Sequence, residues 1–173
     1  IIDIHGHYTT APKALENWRN QQIAGIEDAS VRPRVCDLKI TDDELRETIE
    51  ANQLKLMRQR GSDLTIFSPR ASFMAHHIGD FDVSSTWAAI CNELCHRVAQ
   101  LFPDSFIPAA MLPQSPGVAP ETCIPELVKC VEQYGNVAIN LNPDPSGGHW
   151  TSPPLTDKHW YPIYEKMVEY DIP

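Results

Sequence analysis

Four times in 173 residues a short apolar run gives way to a longer stretch with helical periodicity, and that alternation narrows the fold more than any other feature. The runs are Ile1-Ile2-Asp3-Ile4, Leu64-Thr65-Ile66-Phe67, Phe106 to Leu112 and Val137 to Leu141. Their spacing demands crossovers, not hairpins, so the strands must be parallel and the class is α/β. Either a small open sheet or half of an eight-stranded barrel would satisfy the pattern. The first strand, rich in isoleucine, reads as buried on both faces.

The helices carry local signals of their own. Residues 8–40 form a long polar connection punctuated by Pro12 and Pro33, with one helix predicted over Ala14–Ile23. A capping box at Thr41-Asp42-Asp43-Glu44 opens a helix that runs to Arg60 and stops at Gly61. Asp82 or Ser84 is the expected cap of a helix from about Ser85 to Leu101, striped by Trp87, Ile90, Leu94 and Val98. Pro125 fits the first turn of a helix from Cys123 to Tyr134, which Gly135 ends. Thr156 or Asp157 caps a last helix through Glu169. The residues after it, Asp171-Ile172-Pro173, stand where a fifth strand would enter. A half barrel would leave strand edges and an apolar interior open, so the expectation is a sequence that continues.

Fourteen Lys and Arg against 23 Asp and Glu give a net charge of −9, which disfavours nucleic acid. No apolar run is long enough for a membrane span. Five cysteines, an odd number without a Cys-x-x-Cys, fit neither a disulfide framework nor a zinc ribbon. Cys91/Cys95 and Cys123/Cys130 are spaced as small apolar side chains on buried helix faces. With no targeting segment to read, the chain is expected in the cytoplasm with reduced thiols.

Chemistry gathers at the C-terminal ends of the strands. His5 and His7, two apart on a strand, share one side and could give two imidazoles to a divalent metal. Surface histidines on an extended terminus would look the same. Gly6 between them frees space for a close approach to the backbone. Arg70, just past the second strand, can grip a carboxylate with two parallel hydrogen bonds; the alternative is a salt bridge to Asp63 or Asp80. Ser68, Ser72, Asn140 and Asn142 are candidate neutral donors, and His77 (with His76) and His149 are candidate loop contacts. His96, beside an apolar stripe, reads as structural. Neither a nucleophile elbow nor a dinucleotide or phosphate loop is present.

On Ile2-Asp3-Ile4-His5-Gly6-His7-Tyr8, Thr65 to Ser72, Met111 to Pro116 and Asn140 to Asp144 with Gly147-Gly148-His149, the chain resembles the amidohydrolase superfamily. Within it the likeness is to the branch of metal-dependent decarboxylases and hydratases that act on aromatic ring-cleavage products. The resemblance implies a (β/α)8 TIM barrel, of which residues 1–173 would be the N-terminal half of a single domain, with residues 8–40 as a long insertion. It implies that His5 and His7 bind one divalent metal, Zn2+ by expectation, completed by a histidine and an acid from later strands. It further implies a di- or tricarboxylate substrate, a homo-oligomer, and hydration of 4-oxalomesaconate to 4-carboxy-4-hydroxy-2-oxoadipate in protocatechuate 4,5-cleavage. A decarboxylase of a related acid, or an inactive barrel kept as a binding protein, are the alternatives.

Overall fold

The computed structural model describes residues 1–173. Its strands are β1 (Ile2–Tyr8), β2 (Leu64–Pro69), β3 (Phe106–Pro108), β4 (Ala110–Met111) and β5 (Ile139–Asn140). Its helices are α1 (Lys13–Glu27), α2 (Asp42–Ala51), α3 (Gln53–Arg60), α4 (Phe81–Leu101), α5 (Ile124–Tyr134) and α6 (Tyr161–Glu169). All strand pairs are parallel: β1 with β2, β2 with β3, and β4 with β5. Only Ala109 separates β3 from β4, so the expected third strand exists but changes partner midway. The Ala109 N–H goes to Phe67 O, whereas the Ala110 N–H goes to Ala138 O. Four parallel strand positions therefore curve in sequence order, a partial barrel-like β/α arrangement.

A polar residue holds the place where the third strand changes partner. Asn92 on α4 is fully buried, and its amide donates to Met111 O at 2.9 Å and accepts from the Met111 N–H at 2.9 Å. It satisfies both groups of a backbone unit that would otherwise be buried unpaired.

The main core lies between the sheet and helices α1, α2 and α4. Leu45, Ile49, Phe67, Trp87, Ala88, Val98 and Phe106 are essentially excluded from solvent. Trp18 stacks parallel to Trp87 at 6.3 Å between centroids, and Phe67 tilts against Phe106 at 4.8 Å. A smaller cluster of Leu112, Cys123, Leu127, Trp160 and Ile163 seals the fourth unit. Cys91, Cys95, Cys123 and Cys130 are buried, Cys36 is exposed, and none is bonded to another. No helix is long and apolar enough to cross a membrane.

Four sequence expectations need correction. Within residues 1–173 β1 is not covered on both faces: Ile1, Ile2 and Ile4 are 74%, 61% and 74% exposed, and the strand pairs with β2 alone. The helix expected over residues 41–60 is two, broken at Asn52 (φ −124°, ψ −90°), whose side-chain amide donates to the Thr48 carbonyl. α4 starts a turn early, at Phe81, because Asp80 takes the cap by accepting from the Val83 N–H at 2.9 Å. Asp157 caps a short 3-10 turn, and α6 begins behind it with Pro162 in its first turn. Thr41 and Glu44 do form the reciprocal capping box, and Gly61 and Gly135 end their helices left-handed, both at φ +70°.

Candidate active site

β1 and β2 align so that His7 stands opposite Ser68 and Tyr8 opposite Pro69. The register shifts between Asp3 and Gly6, which bends the strand just where the two histidines sit. Gly6 is required there, since a Cβ would come within 2.2 Å of the Thr65 methyl. The outcome is convergence: His5 Nε2 and His7 Nε2 lie 3.0 Å apart, the rings edge to face at 4.6 Å.

The other nitrogen of His7 fixes its tautomer. Nδ1 lies 3.0 Å from Pro69 O and 2.8 Å from Ser68 Oγ. A carbonyl oxygen can only accept, so Nδ1 carries the proton and Nε2 keeps its lone pair. A bare Nε2 turned toward a second imidazole is the donor arrangement a divalent metal uses. No third His, Cys, Asp or Glu joins the pair.

Beside them a small pocket of about 70 Å³ is lined by Ile4, His5, Ile66, Ser68, Ala138 and Asn140, among others. Ser68 is 4% exposed and touches the Gly6 carbonyl as well as His7. Asn140 Nδ2 reaches Ser68 Oγ at 3.4 Å. Of the candidates, Ser68, Asn140, His5 and His7 are brought together here.

Arg70 leaves the end of β2 exposed, its guanidinium 5.8 Å from the Phe73 ring. Neither Asp63 nor Asp80 forms an ion pair with it, and Asp80 caps α4. Ser72 and His77 are exposed in the following loop, and His149 is exposed in the loop leaving β5. Asn142 ties those two loops together, its amide donating to Met74 O at 2.7 Å. His96 donates to or accepts from nothing at the site; it stacks on Tyr134, with Nδ1 3.1 Å from Tyr134 O.

His76 stands apart from its neighbour. It is 1% exposed, with Nδ1 2.8 Å from Ser84 Oγ and Nε2 unpartnered. Burial first, then the nearby Arg19 and His77, push its pKa down to about 3. Arg19 is itself buried against the Trp87 face and has only neutral partners, Gln22 Oε1 and Ala75 O.

Three organisers were not singled out from sequence. Gln114 is buried and brackets Asn142, accepting from its N–H at 2.7 Å and donating to its carbonyl at 3.2 Å. Asp144 gathers the loop leaving β5, accepting from the hydroxyl and N–H of Ser146 and the N–H groups of Gly148 and Trp150. The Ser146 hydroxyl is the main reason its carboxylate sits below the usual range. An Asp two residues before a Ser, ahead of two glycines, is a turn signal that could have been read. The Pro69 carbonyl has no sequence signal, since only strand register brings it to His7.

Comparisons with known proteins bear on the fold and the family. The chain is 77% identical over its whole length to the solved 4-oxalomesaconate hydratase of Rhodopseudomonas palustris, with a TM-score of 0.94, and covers 50% of that chain. It is 56% identical over 173 residues to 2-keto-4-carboxy-3-hexenedioate hydratase of a Sphingobium species, again covering 50% of it. A dihydroxybenzoic acid decarboxylase of a Polaromonas species, solved with bound manganese and an inhibitor, shares the fold at 22% identity and a TM-score of 0.66. That match spans 99% of this chain and 47% of the other. The chain thus spans about half the length of the relatives it matches. The family model described as amidohydrolase matches residues 2–173, and the chain belongs to that family.

Proposed function

We propose that the protein is a metal-dependent hydratase that adds water across the carbon–carbon double bond of 4-oxalomesaconate, giving 4-carboxy-4-hydroxy-2-oxoadipate. The observation that carries the reading is the 77% identity, sustained over all of the chain, to a solved hydratase of that substrate. The residues fit the group such a reaction needs. Two Nε2 atoms 3.0 Å apart suit one ion with metal–nitrogen bonds of about 2.0–2.1 Å. Zinc is the proposed ion, which imidazole suits; manganese is the alternative, since decarboxylases that share the fold are solved with it. When bound, the ion would supply Lewis acidity to an oxygen of the substrate or of water. Its remaining ligands are proposed to come from later strands of the barrel, of which residues 1–173 would form the N-terminal half.

The chain's own residues would bind and orient the acid. Arg70 carries no carboxylate partner and lies on the same end of the sheet as the histidines, so it is proposed to grip a substrate carboxylate in two-pronged fashion. Ser72 and His77 in the loop leaving β2, Asn140 on β5, and Asn142 and His149 in the loop leaving it would supply neutral hydrogen bonds. A cytoplasmic, homo-oligomeric enzyme belongs to the same proposal.

The test is direct. Incubated with 4-oxalomesaconate, the holoenzyme should yield a product heavier by one water and release no carbon dioxide. Carbon dioxide in step with substrate loss would make it a decarboxylase. Absence of turnover by metal-loaded protein would leave a binding or scaffold role.

A further inference from the structure

We propose that Ser68 is a positioning residue for His7 and does not contact substrate. This rests on the reading of His7 as a metal ligand. The hydroxyl's hydrogen-bonding capacity decides its role. A serine hydroxyl has one proton to give and two lone pairs to receive with. Around Ser68 Oγ lie His7 Nδ1 at 2.8 Å, Gly6 O at 3.1 Å and Asn140 Nδ2 at 3.4 Å, with Pro69 O also at 3.4 Å.

Those partners leave one consistent assignment. Nδ1 of His7 carries a proton because Pro69 O, 3.0 Å away, can only accept. Nδ1–H therefore donates to Ser68 Oγ as well as to Pro69 O. The Asn140 amide also donates, so both lone pairs of Oγ are engaged. The hydroxyl proton then has only carbonyls to go to, Gly6 O being the nearer. Every site on the hydroxyl is in use, and the side chain is 4% exposed. Nothing is left for a substrate to bind.

The function of the arrangement follows from its position. Ser68 sits on β2 and clamps both the ring of His7 and the carbonyl of Gly6, two consecutive residues of β1 beside the register shift. Asn140, on β5, braces Ser68 from the far side. Three strands thus meet on one hydroxyl whose effect is to aim His7 Nε2. Partners of this kind that orient a metal-ligating histidine are typically worth about 10–100-fold in metal affinity.

The experiment compares wild-type holoenzyme with Ser68→Ala, Ser68→Thr and Ser72→Ala. Metal affinity is read by chelator competition without substrate, so the result does not depend on which reaction is catalysed. Ser68→Ala should weaken metal binding about 10–100-fold, and the visible spectrum of the cobalt-substituted variant should shift. At saturating metal its KM should stay within about twofold of wild type. Ser72→Ala, an exposed neighbour, should leave metal affinity unchanged. Ser68→Thr keeps the hydroxyl and should recover most of the affinity; if its methyl unfolds the protein, the Ala variant and the cobalt spectrum still decide. Wild-type metal affinity in Ser68→Ala would overturn the proposal, whether KM rises or not. Should the hydratase reading fail while metal affinity falls as stated, the positioning role survives it.

Discussion

Two regions at the same end of the sheet each carry a pair of histidines, and the backbone makes opposite uses of them. In β1 the spacing is two, and a bend at Gly6 turns both rings toward each other until their Nε2 atoms lie 3.0 Å apart. In the loop that leaves β2 the spacing is one, and His76 and His77 go separate ways. His76 is buried on Ser84 and His77 is exposed over Gly147. In β1 the contacts of His7 Nδ1 leave the Nε2 lone pair free. In the loop one imidazole is a neutral core group, and the other rests exposed against Gly147. Residue type alone does not separate the two cases; the backbone between the histidines does.

The largest effect is expected where the comparison is sharpest. His5→Ala and His7→Ala should each remove the bound metal, since losing a ligand costs more than the roughly 10–100-fold of a supporting contact. Metal analysis of purified variants checks this, and His77→Ala should retain a full complement. Stoichiometric metal in either β1 variant would erase the distinction between the pairs.

Next comes pH, which acts on the loop pair. His76 has a native pKa near 3 against an ordinary 6.5, so between those values the unfolded chain binds a proton that the native state refuses. The neutral ring is therefore a stabilising feature fully present above pH 6.5 and lost progressively as pH falls toward 3. Arg19 and His77 face it and reinforce the shift, while Ser84 is its neutral partner. The whole window corresponds to about 4–5 kcal/mol, of which about 2 kcal/mol should disappear between pH 7 and pH 5. Denaturant melts at those two pH values should show a smaller loss in His76→Phe by about that amount. Equal losses in both proteins would mean that His76 takes up its proton as readily in the native state as in the unfolded chain.

Much of this was legible in the sequence, and the exceptions share a cause. Period and turn chemistry are local, so the strand–helix order, the Thr41–Glu44 box and the left-handed glycines 61 and 135 could be read. The exposure of the β1 isoleucines within residues 1–173 could not, because apolarity says that a strand wants cover and not what supplies it. The break at Asn52 depends on a side chain competing for the Thr48 carbonyl, and the early start of α4 on Asp80 outcompeting two other plausible caps. The meeting of His5 and His7 was visible as a spacing. The clamp of Ser68 and Pro69 on His7 was not, since it joins residues 61 and 62 positions apart through strand register.

Arg70, where β2 passes into the loop, gives a prediction of intermediate size. Its guanidinium has no carboxylate partner, so replacing it should leave the melting temperature near wild type and the metal in place. Arg70→Lys keeps the charge but loses the two-pronged geometry. With charge-assisted hydrogen bonds worth about 1.5–3 kcal/mol each, kcat/KM should fall by roughly ten- to several-hundred-fold, and further in Arg70→Met. A folded, metal-replete Arg70→Met enzyme with near-normal kcat/KM would defeat the assignment and leave the substrate clamp to another part of the loop.

The smallest effect isolates the packing of His77. Gly147 has φ +77°, and a Cβ there would lie 2.4–2.6 Å from three atoms of the His77 ring, so Gly147→Ala meets both backbone strain and a clash. Gly148, at φ +96°, has nothing within 4 Å of the same added atom, so its alanine variant meets the backbone term alone. Because His77 is exposed, its ring can swing into solvent, and the clash should cost only the contact it abandons. Gly147→Ala is thus expected to destabilise by about 1–3 kcal/mol, most of it backbone strain, and to exceed Gly148→Ala by a few tenths. The excess should vanish when His77→Ala is combined with Gly147→Ala, the coupling that a double-mutant cycle measures. If it persists without the imidazole, His77 does not rest on Gly147 in solution. The loop histidine would then be free to turn toward the β1 pair, and the separation between the two regions would be one of sequence position alone.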